Sequence, residues 1–156
     1  MRFASILLAL FALGAAPTAP AQATFERSEA VLETATGRHR LDVELAVTPG
    51  QRAQGLMFRE ELPADYGMLF DFGTTRPISM WMANTYVPLD MLFIAADGRI
   101  TQIVADTQPL TDTMPLSRDT IPSGLPAYGV LELPAGAAER YGVEPGDRVV
   151  HPRFDG

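Results

Sequence analysis

Hydrophobic and polar residues alternate along the segment from residue 40 to residue 47. Every second position is hydrophobic, and the positions between them include two acids. The hydrophobic positions are Leu41, Val43, Leu45 and Val47. Successive side chains of a β-strand point to opposite faces, so this period of two predicts a strand with one buried and one solvated face.

Short hydrophobic runs bounded by turn residues predict seven further strands. They cover residues 29–34, 67–72, 78–82, 91–95, 99–106, 128–133 and 147–151. Thr36-Gly37 supplies a turn after the first of these strands. Asp97-Gly98 lies between two others, and this dipeptide is typical of type I′ hairpins. Short strands separated by turns favour an antiparallel β architecture.

Two short helices are predicted within this β pattern. Thr48 can cap the first, Pro49 suits its first position, and Gln51 completes a capping box. Gly55 is expected to end that helix, and the second covers residues 135–141. The predicted fold class is therefore mainly β, a compact sandwich- or barrel-like antiparallel sheet with two short helices.

A long connection separates two of the predicted strands. Residues 107–126 include four prolines, which favour an extended or irregular backbone. Loops of this length in small domains are often functional covers. We therefore expect this segment to be a loop that covers a site.

The N-terminus has the features of an export signal. Arg2 precedes an apolar run over residues 3–13, and Ala21-Gln22-Ala23 supplies small residues at a cleavage site. The apolar run is shorter than the roughly 20 residues of a membrane-spanning helix. We expect a periplasmic or secreted protein without a stable membrane anchor after cleavage. The predicted divisions are a cleaved signal peptide (1–23), a leader with the first strand (24–38), and a single β-rich domain (39–152).

Composition narrows the chemistry that the chain can perform. It has no cysteine and no lysine, so thiol nucleophiles and lysine Schiff bases are excluded. Its net charge of −7 argues against nucleic acid as a partner. We predict no cofactor.

The densest candidate site follows the predicted strand at residues 78–82. Large apolar side chains there are followed within a few residues by an amide, a hydroxyl and a carboxylate. An aromatic wall beside such polar groups, with arginines to add charge, suits a small ligand or a protein partner bound without chemistry. The candidate residues are Arg52, Arg59, Trp81, Asn84, Thr85 and Asp90. In the structural alternative, Trp81 is core, Asn84-Thr85 forms a turn, and Asp90 ties a loop to backbone amides.

Three other functions remain open. Met80 and Met82 offer thioethers that could handle Cu(I), with His39 or His151 adding a nitrogen. A small hydrolase would need a carboxylate pair, for which Asp65 with Asp71 is one example. A purely structural or interaction protein would need neither.

Several short motifs also occur together in one known family. They are Gly55-Leu56-Met57 with Arg59, Gly67-Met68-Leu69-Phe70, Trp81-Met82 leading to Asn84-Thr85, Pro88-Leu89-Asp90, Phe93, Asp97-Gly98, Leu131-Glu132-Leu133 with Gly136, and Gly146-Asp147. In these motifs the chain resembles the bacterial and archaeal family called domain of unknown function 192, over roughly residues 41–150. The resemblance implies a compact, mainly β, sandwich-like barrel with short helices. The family has no established activity, so no catalytic residues are carried over.

Overall fold

The structure is a computed structural model that describes residues 22–109 and 121–154. Nine strands and two helices follow one another along these residues. They are β1 (Glu26–Thr34), β2 (Gly37–Ala46), α1 (Pro49–Gln54), β3 (Tyr66–Arg76), β4 (Ser79–Met80), β5 (Leu89–Ile94), β6 (Ile100–Thr107), β7 (Ile121–Pro122), β8 (Ala127–Pro134), α2 (Ala137–Tyr141) and β9 (Arg148–Val150).

Seven of the strands form one curled sheet in the order β6-β5-β8-β3-β2-β1-β9, and β4 pairs with β7 separately. The mainly β class with two short helices is therefore confirmed. All pairings within the large sheet are antiparallel except that of β2 with β3. The connection between these two strands contains α1 and is long enough for the crossover that parallel neighbours need.

The predicted capping box sets the start of α1. Thr48 accepts a hydrogen bond from the backbone N–H of Gln51, and the Gln51 side chain accepts one from the Thr48 backbone. Gly55 ends the helix at a positive φ of 48°. The local sequence thus fixes both ends of a helix that has no buried residue of its own.

The strands predicted at residues 29–34 and 67–72 are longer in the structure, where β1 begins at Glu26 and β3 ends at Arg76, and two further segments differ in kind. The strand predicted at residues 78–82 is reduced to β4, because only Ser79 and Met80 pair with another strand. The loop predicted at residues 107–126 begins after Thr107 in the structure, because Thr107 is the last residue of β6. The predicted loop also contains the short strand β7. Residues 110–120 of that loop, and residues 1–21 of the predicted signal peptide, lie outside the described residues.

The two ends of the sheet order meet at one point. Arg99 and Arg148 form an antiparallel bridge, and the backbone N–H of Val149 donates to the Gly98 carbonyl at 2.8 Å. Gly98 has a φ of 83°, and a Cβ there would lie 2.6 Å from the Val149 carbonyl oxygen. Only glycine fits this contact between the β5–β6 turn and β9.

Each face of the sheet packs against its own hydrophobic cluster. The first cluster takes alternate residues of β8 such as Leu131 and Leu133, together with two alanines of α2. The second takes Val130 of β8 and is rich in methionine and aromatic residues. Strand β8 is therefore buried on both faces. Within the described ranges, neither helix is long and apolar enough to cross a membrane.

Candidate functional site

Glu132 is an acidic residue on an interior strand of the sheet. It lies on β8 opposite Met68 of β3 and Met91 of β5, so its side chain shares the face of the methionine-rich cluster. Its relative exposure is 3%. No side chain or backbone group within residues 22–109 and 121–154 forms a hydrogen bond or ion pair with its carboxyl group. Burial raises the pKa of Glu132 from 4.5 to about 8, so the carboxyl is mostly protonated at neutral pH.

Glu132 faces a cavity of about 330 Å³. The cavity is bounded by the end of α1 and the residues after it, and by β3, β4, β8 and the segment following β4. Its lining is mainly apolar and aromatic, with a few polar groups. The lining residues are Arg52, Gln54, Gly55, Leu56, Met57, Phe70, Phe72, Ser79, Met80, Trp81, Thr85 and Glu132. A concave, largely apolar site of this size with few polar groups is typical of small-ligand pockets.

Arg52 supplies the positive charge of this cavity. Its Nη1 donates to the backbone carbonyls of Val47 and Asp71, the second at 3.0 Å, and its guanidinium lies over the Phe72 ring at 5.2 Å. These contacts hold the half-buried side chain in one place. No carboxylate of the described residues lies within ion-pair distance of it. The remaining N–H groups of Arg52 are available to an anion.

Exposed aromatic residues lie on the segments that line the cavity. Trp81 is 47% exposed, and the rings of Phe58 and Tyr86 meet edge to face at 6.1 Å. The backbone N–H of Phe58 donates to the Asn84 carbonyl at 2.8 Å, which ties the two segments together. Phe58 has a φ of 65°, and a bulky residue in the left-handed region marks a constrained backbone.

The sequence pattern of one family, described as uncharacterized ACR and named domain of unknown function 192 (DUF192), matches residues 30–151. The chain belongs to the DUF192 family. It is similar to a solved candidate transcription regulator from Sinorhizobium meliloti 1021, with 50% identity and a TM-score of 0.76 over 83% of this chain and 97% of that one. It is also similar to a solved protein of unknown function from Novosphingobium aromaticivorans DSM 12444, with 35% identity and a TM-score of 0.75 over 88% and 94% of the two chains. No curated protein matches.

Three of the six predicted ligand residues line the cavity of this DUF192 domain: Arg52, Trp81 and Thr85. Arg59 lies elsewhere. It pairs with Glu44 and donates to the Tyr66 hydroxyl at 2.9 Å.

Asn84 also lies outside the cavity lining. It has a φ of 53°, and its amide nitrogen is 3.9 Å from the Met57 sulfur. Short polar side chains tolerate this left-handed conformation, so its position is explained by the turn it makes.

Asp90 lies on the opposite face of the DUF192 sheet, and its relative exposure is 1%. One carboxylate oxygen accepts the Asp106 N–H at 2.9 Å, and the other accepts the Ala138 N–H at 2.8 Å. The carboxylate therefore joins the ends of β6 and α2 to β5. Asp90 therefore does not lie with Trp81 and Thr85 at the cavity. Its contacts are those of the structural alternative, in which its carboxylate binds backbone amides.

The sulfur and imidazole groups of the copper hypothesis are dispersed. Met80 lines the cavity, whereas Met82 is buried outside its lining, where its sulfur lies 3.4 Å from the Thr107 hydroxyl. His39 contacts Thr36 and Tyr141, and the ring of His151 contacts Ser28. Neither histidine lines the cavity.

The carboxylate pair of the hydrolase hypothesis is not assembled. Asp65 precedes β3 and Asp71 lies six residues along it, a separation of about 20 Å in a strand. Asp71 is bound by Gly73 N–H and by Arg153 at 3.2 Å. Glu132 is the single acid among the described residues that line the cavity.

Glu132 is the residue that the site prediction missed, although it was part of a family motif. The available signal was the run Val130-Leu131-Glu132-Leu133, in which hydrophobic residues do not alternate with polar ones. Such a run is typical of a strand buried on both faces, and an acid within it must be buried too.

Proposed function

We propose that this protein is an exported, periplasmic or secreted domain that binds a small organic molecule in the cavity beneath Trp81. The observation that supports this proposal is the Glu132 carboxyl, which opens into the cavity and has no hydrogen-bond partner among the described residues. No described side-chain oxygen is both sealed from solvent and without a partner, so the Glu132 carboxyl can be reached by a molecule in the cavity. A ligand that makes the missing hydrogen bond explains why the group is retained there.

The shape and lining of the cavity support the same proposal. A volume of about 330 Å³ is within the roughly 300–1,000 Å³ of small-molecule sites. Phe70, Phe72 and Met80 supply apolar contact surface, while Ser79 and Thr85 add hydroxyl groups. The expected ligand has a hydrocarbon or aromatic body and few polar groups.

The charge of the chain does not support a DNA-binding role. One solved relative is described as a candidate transcription regulator. This chain has a net charge of −7, which opposes contact with phosphate backbones. A small-molecule function needs no such contact.

Trp81 provides a direct test, because it is the only tryptophan and it lines the cavity. We expect members of a panel of simple alkyl and aryl acids, amines and alcohols to change its fluorescence and to raise the melting temperature. Ser79→Phe should abolish both effects, because the exposed Ser79 lines the cavity and a phenyl ring there would fill it.

Thr74→Phe is the matched control. Thr74 is exposed on β3 outside the cavity lining, so this variant should bind as the wild type does. If no compound binds, or if Ser79→Phe binds as well as Thr74→Phe, the cavity is not a ligand site.

A further inference from the structure

We infer that the cavity selects organic carboxylates, with the ligand's carboxylate bound to Arg52 and its hydrocarbon body against Phe70, Phe72 and Trp81. This inference rests on the proposed small-molecule function and adds the chemical class of the ligand. The inference is based on the juxtaposition of Arg52 and Glu132, which line the same cavity. Among the described residues, Arg52 has no acidic partner and Glu132 has no hydrogen-bond or ion-pair partner.

Arg52 is prepared to receive a planar anion. Two backbone carbonyls fix its Nη1, and the ring of Phe72 lies beneath its guanidinium. A guanidinium has five N–H donors in a rigid fork that matches the two oxygens of a carboxylate. Since the side chain is already oriented, little conformational entropy is lost when the anion binds.

Glu132 does not compete for this arginine near neutral pH. The groups that face Glu132 from β3 and β5 are Met68 and Met91, and neither titrates. Further along the same face of β3, the Tyr66 hydroxyl donates to Glu44, which is itself paired with Arg59. Helix α1 contributes one charged residue, Arg52, to the part of the cavity lining that the structure describes.

The charge balance of the cavity therefore changes with pH. With its pKa near 8, Glu132 is mostly neutral at pH 7, and Arg52 is then the one charged side chain among the described residues that line the cavity. An ammonium ligand would meet that charge in a partly desolvated site, where repulsion is strong. Above the pKa of Glu132, its negative charge opposes a bound carboxylate.

Three probes with one hydrocarbon chain and different head groups separate the possibilities: hexanoate, hexylamine and hexanol. We expect hexanoate to bind at least tenfold more tightly than the other two at neutral pH, as measured by Trp81 fluorescence or by calorimetry. Its affinity should fall about tenfold between about pH 6 and about pH 9, as Glu132 ionises.

Two variants assign the effect to the named groups. In Arg52→Gln, hexanoate should lose its advantage over hexanol while hexanol binds as before; circular dichroism and the melting temperature establish that the variant is folded. In Glu132→Gln, hexanoate should keep its affinity at neutral pH and lose its pH dependence. If Arg52→Gln does not fold, the pH profile of Glu132→Gln still decides the question.

The outcomes separate this inference from the proposed function. If hexylamine or hexanol binds as tightly as hexanoate and Ser79→Phe blocks it, the cavity is a ligand site and the carboxylate inference is overturned. A pH profile that Glu132→Gln leaves unchanged also overturns the inference. If none of the three probes binds, and the wider panel fails too, both proposals fall.

Discussion

Asp90 and Glu132 are two buried acids on neighbouring strands, one residue out of register and on opposite faces of the sheet. Asp90 has a backbone N–H on each carboxylate oxygen, at 2.9 Å and 2.8 Å. Glu132 has no such donor within the described ranges and faces a cavity. Two acids with the same burial can therefore differ in the partners of their carboxyl groups, one bound by backbone N–H groups and one facing a cavity.

The chain explains this difference. At Asp90 two chain segments bring unpaired N–H groups to the carboxylate, one from Asp106 at a positive φ of 53° and one from the first turn of α2. At Glu132 the neighbouring strands contribute thioethers, and the sheet's own ladder already uses the backbone groups nearby. The protein itself supplies the partners of Asp90, whereas Glu132 faces the cavity without a hydrogen-bond partner among the described residues.

The largest effect on stability is expected at Asp90. Asp90→Ala should lower the free energy of unfolding by roughly 3–6 kcal/mol, because two hydrogen bonds to a charged group are lost at about 1.5–3 kcal/mol each. Denaturant unfolding at neutral pH measures this change. Asp65→Ala is the control, because Asp65 is exposed and its side chain has no hydrogen bond or ion pair among the described residues. A loss no greater than that of the control would remove the structural role of Asp90.

At Glu132, in contrast to Asp90, removing the ionisable group is expected to raise the free energy of unfolding near neutral pH. Below about pH 4.5 its carboxyl is protonated in both states, while between pH 4.5 and about 8 only the unfolded chain loses the proton. The wild type should therefore lose about 3 kcal/mol of unfolding free energy relative to Glu132→Gln between about pH 4.5 and pH 7. The loss should grow up to pH 8 and then level off.

Denaturant unfolding of both proteins across this pH range measures the difference. The exposed Glu144 supplies the matched control, Glu144→Gln, which should track the wild type throughout. Parallel stability curves for wild type and Glu132→Gln would mean that Glu132 is paired, and the contrast with Asp90 would disappear.

The smallest effect on stability is expected at the mouth of the cavity. Trp81→Ala removes a half-exposed side chain and should lower the free energy of unfolding by only about 1 kcal/mol. It should also weaken hexanoate binding in calorimetry. A loss of several kcal/mol would instead indicate that Trp81 is a core residue. The contrast between the cavity face of the sheet and the face that holds Asp90 would then disappear.

Local signals in the sequence predicted most of the elements. The capping box at Thr48 and Gln51 acts over a few residues and forms as predicted. Asp97-Gly98 does connect β5 to β6 in a hairpin, but the predicted type I′ turn is wrong, because of these two residues only Gly98 has a positive φ and its N–H donates to the Ala95 carbonyl. The parallel pairing of β2 with β3 joins residues distant in sequence, such as Asp42 and Tyr66, and no local pattern encodes it. The same holds for β4, whose pairing with β7 joins segments about 40 residues apart.

The site was predicted in part for the same reason. Trp81 and Thr85 are close in sequence and meet in one cavity, but Arg52 joins them only through the fold. Asp90 was placed with them because it follows soon after, although one residue along a strand reverses the face that a side chain reaches. Glu132 was missed because whether a buried acid has partners depends on segments distant in sequence.

The bridge between Arg99 and Arg148 bears on how much of the sheet edge is exposed. An open sheet exposes the backbone groups of its two outermost strands, and these can template pairing with another chain. Here the start of β6 meets β9 of the same molecule, so part of both edges is already satisfied internally. Gly98 makes that contact possible, and a bulkier residue there would separate the two strands and free their backbone groups for aggregation.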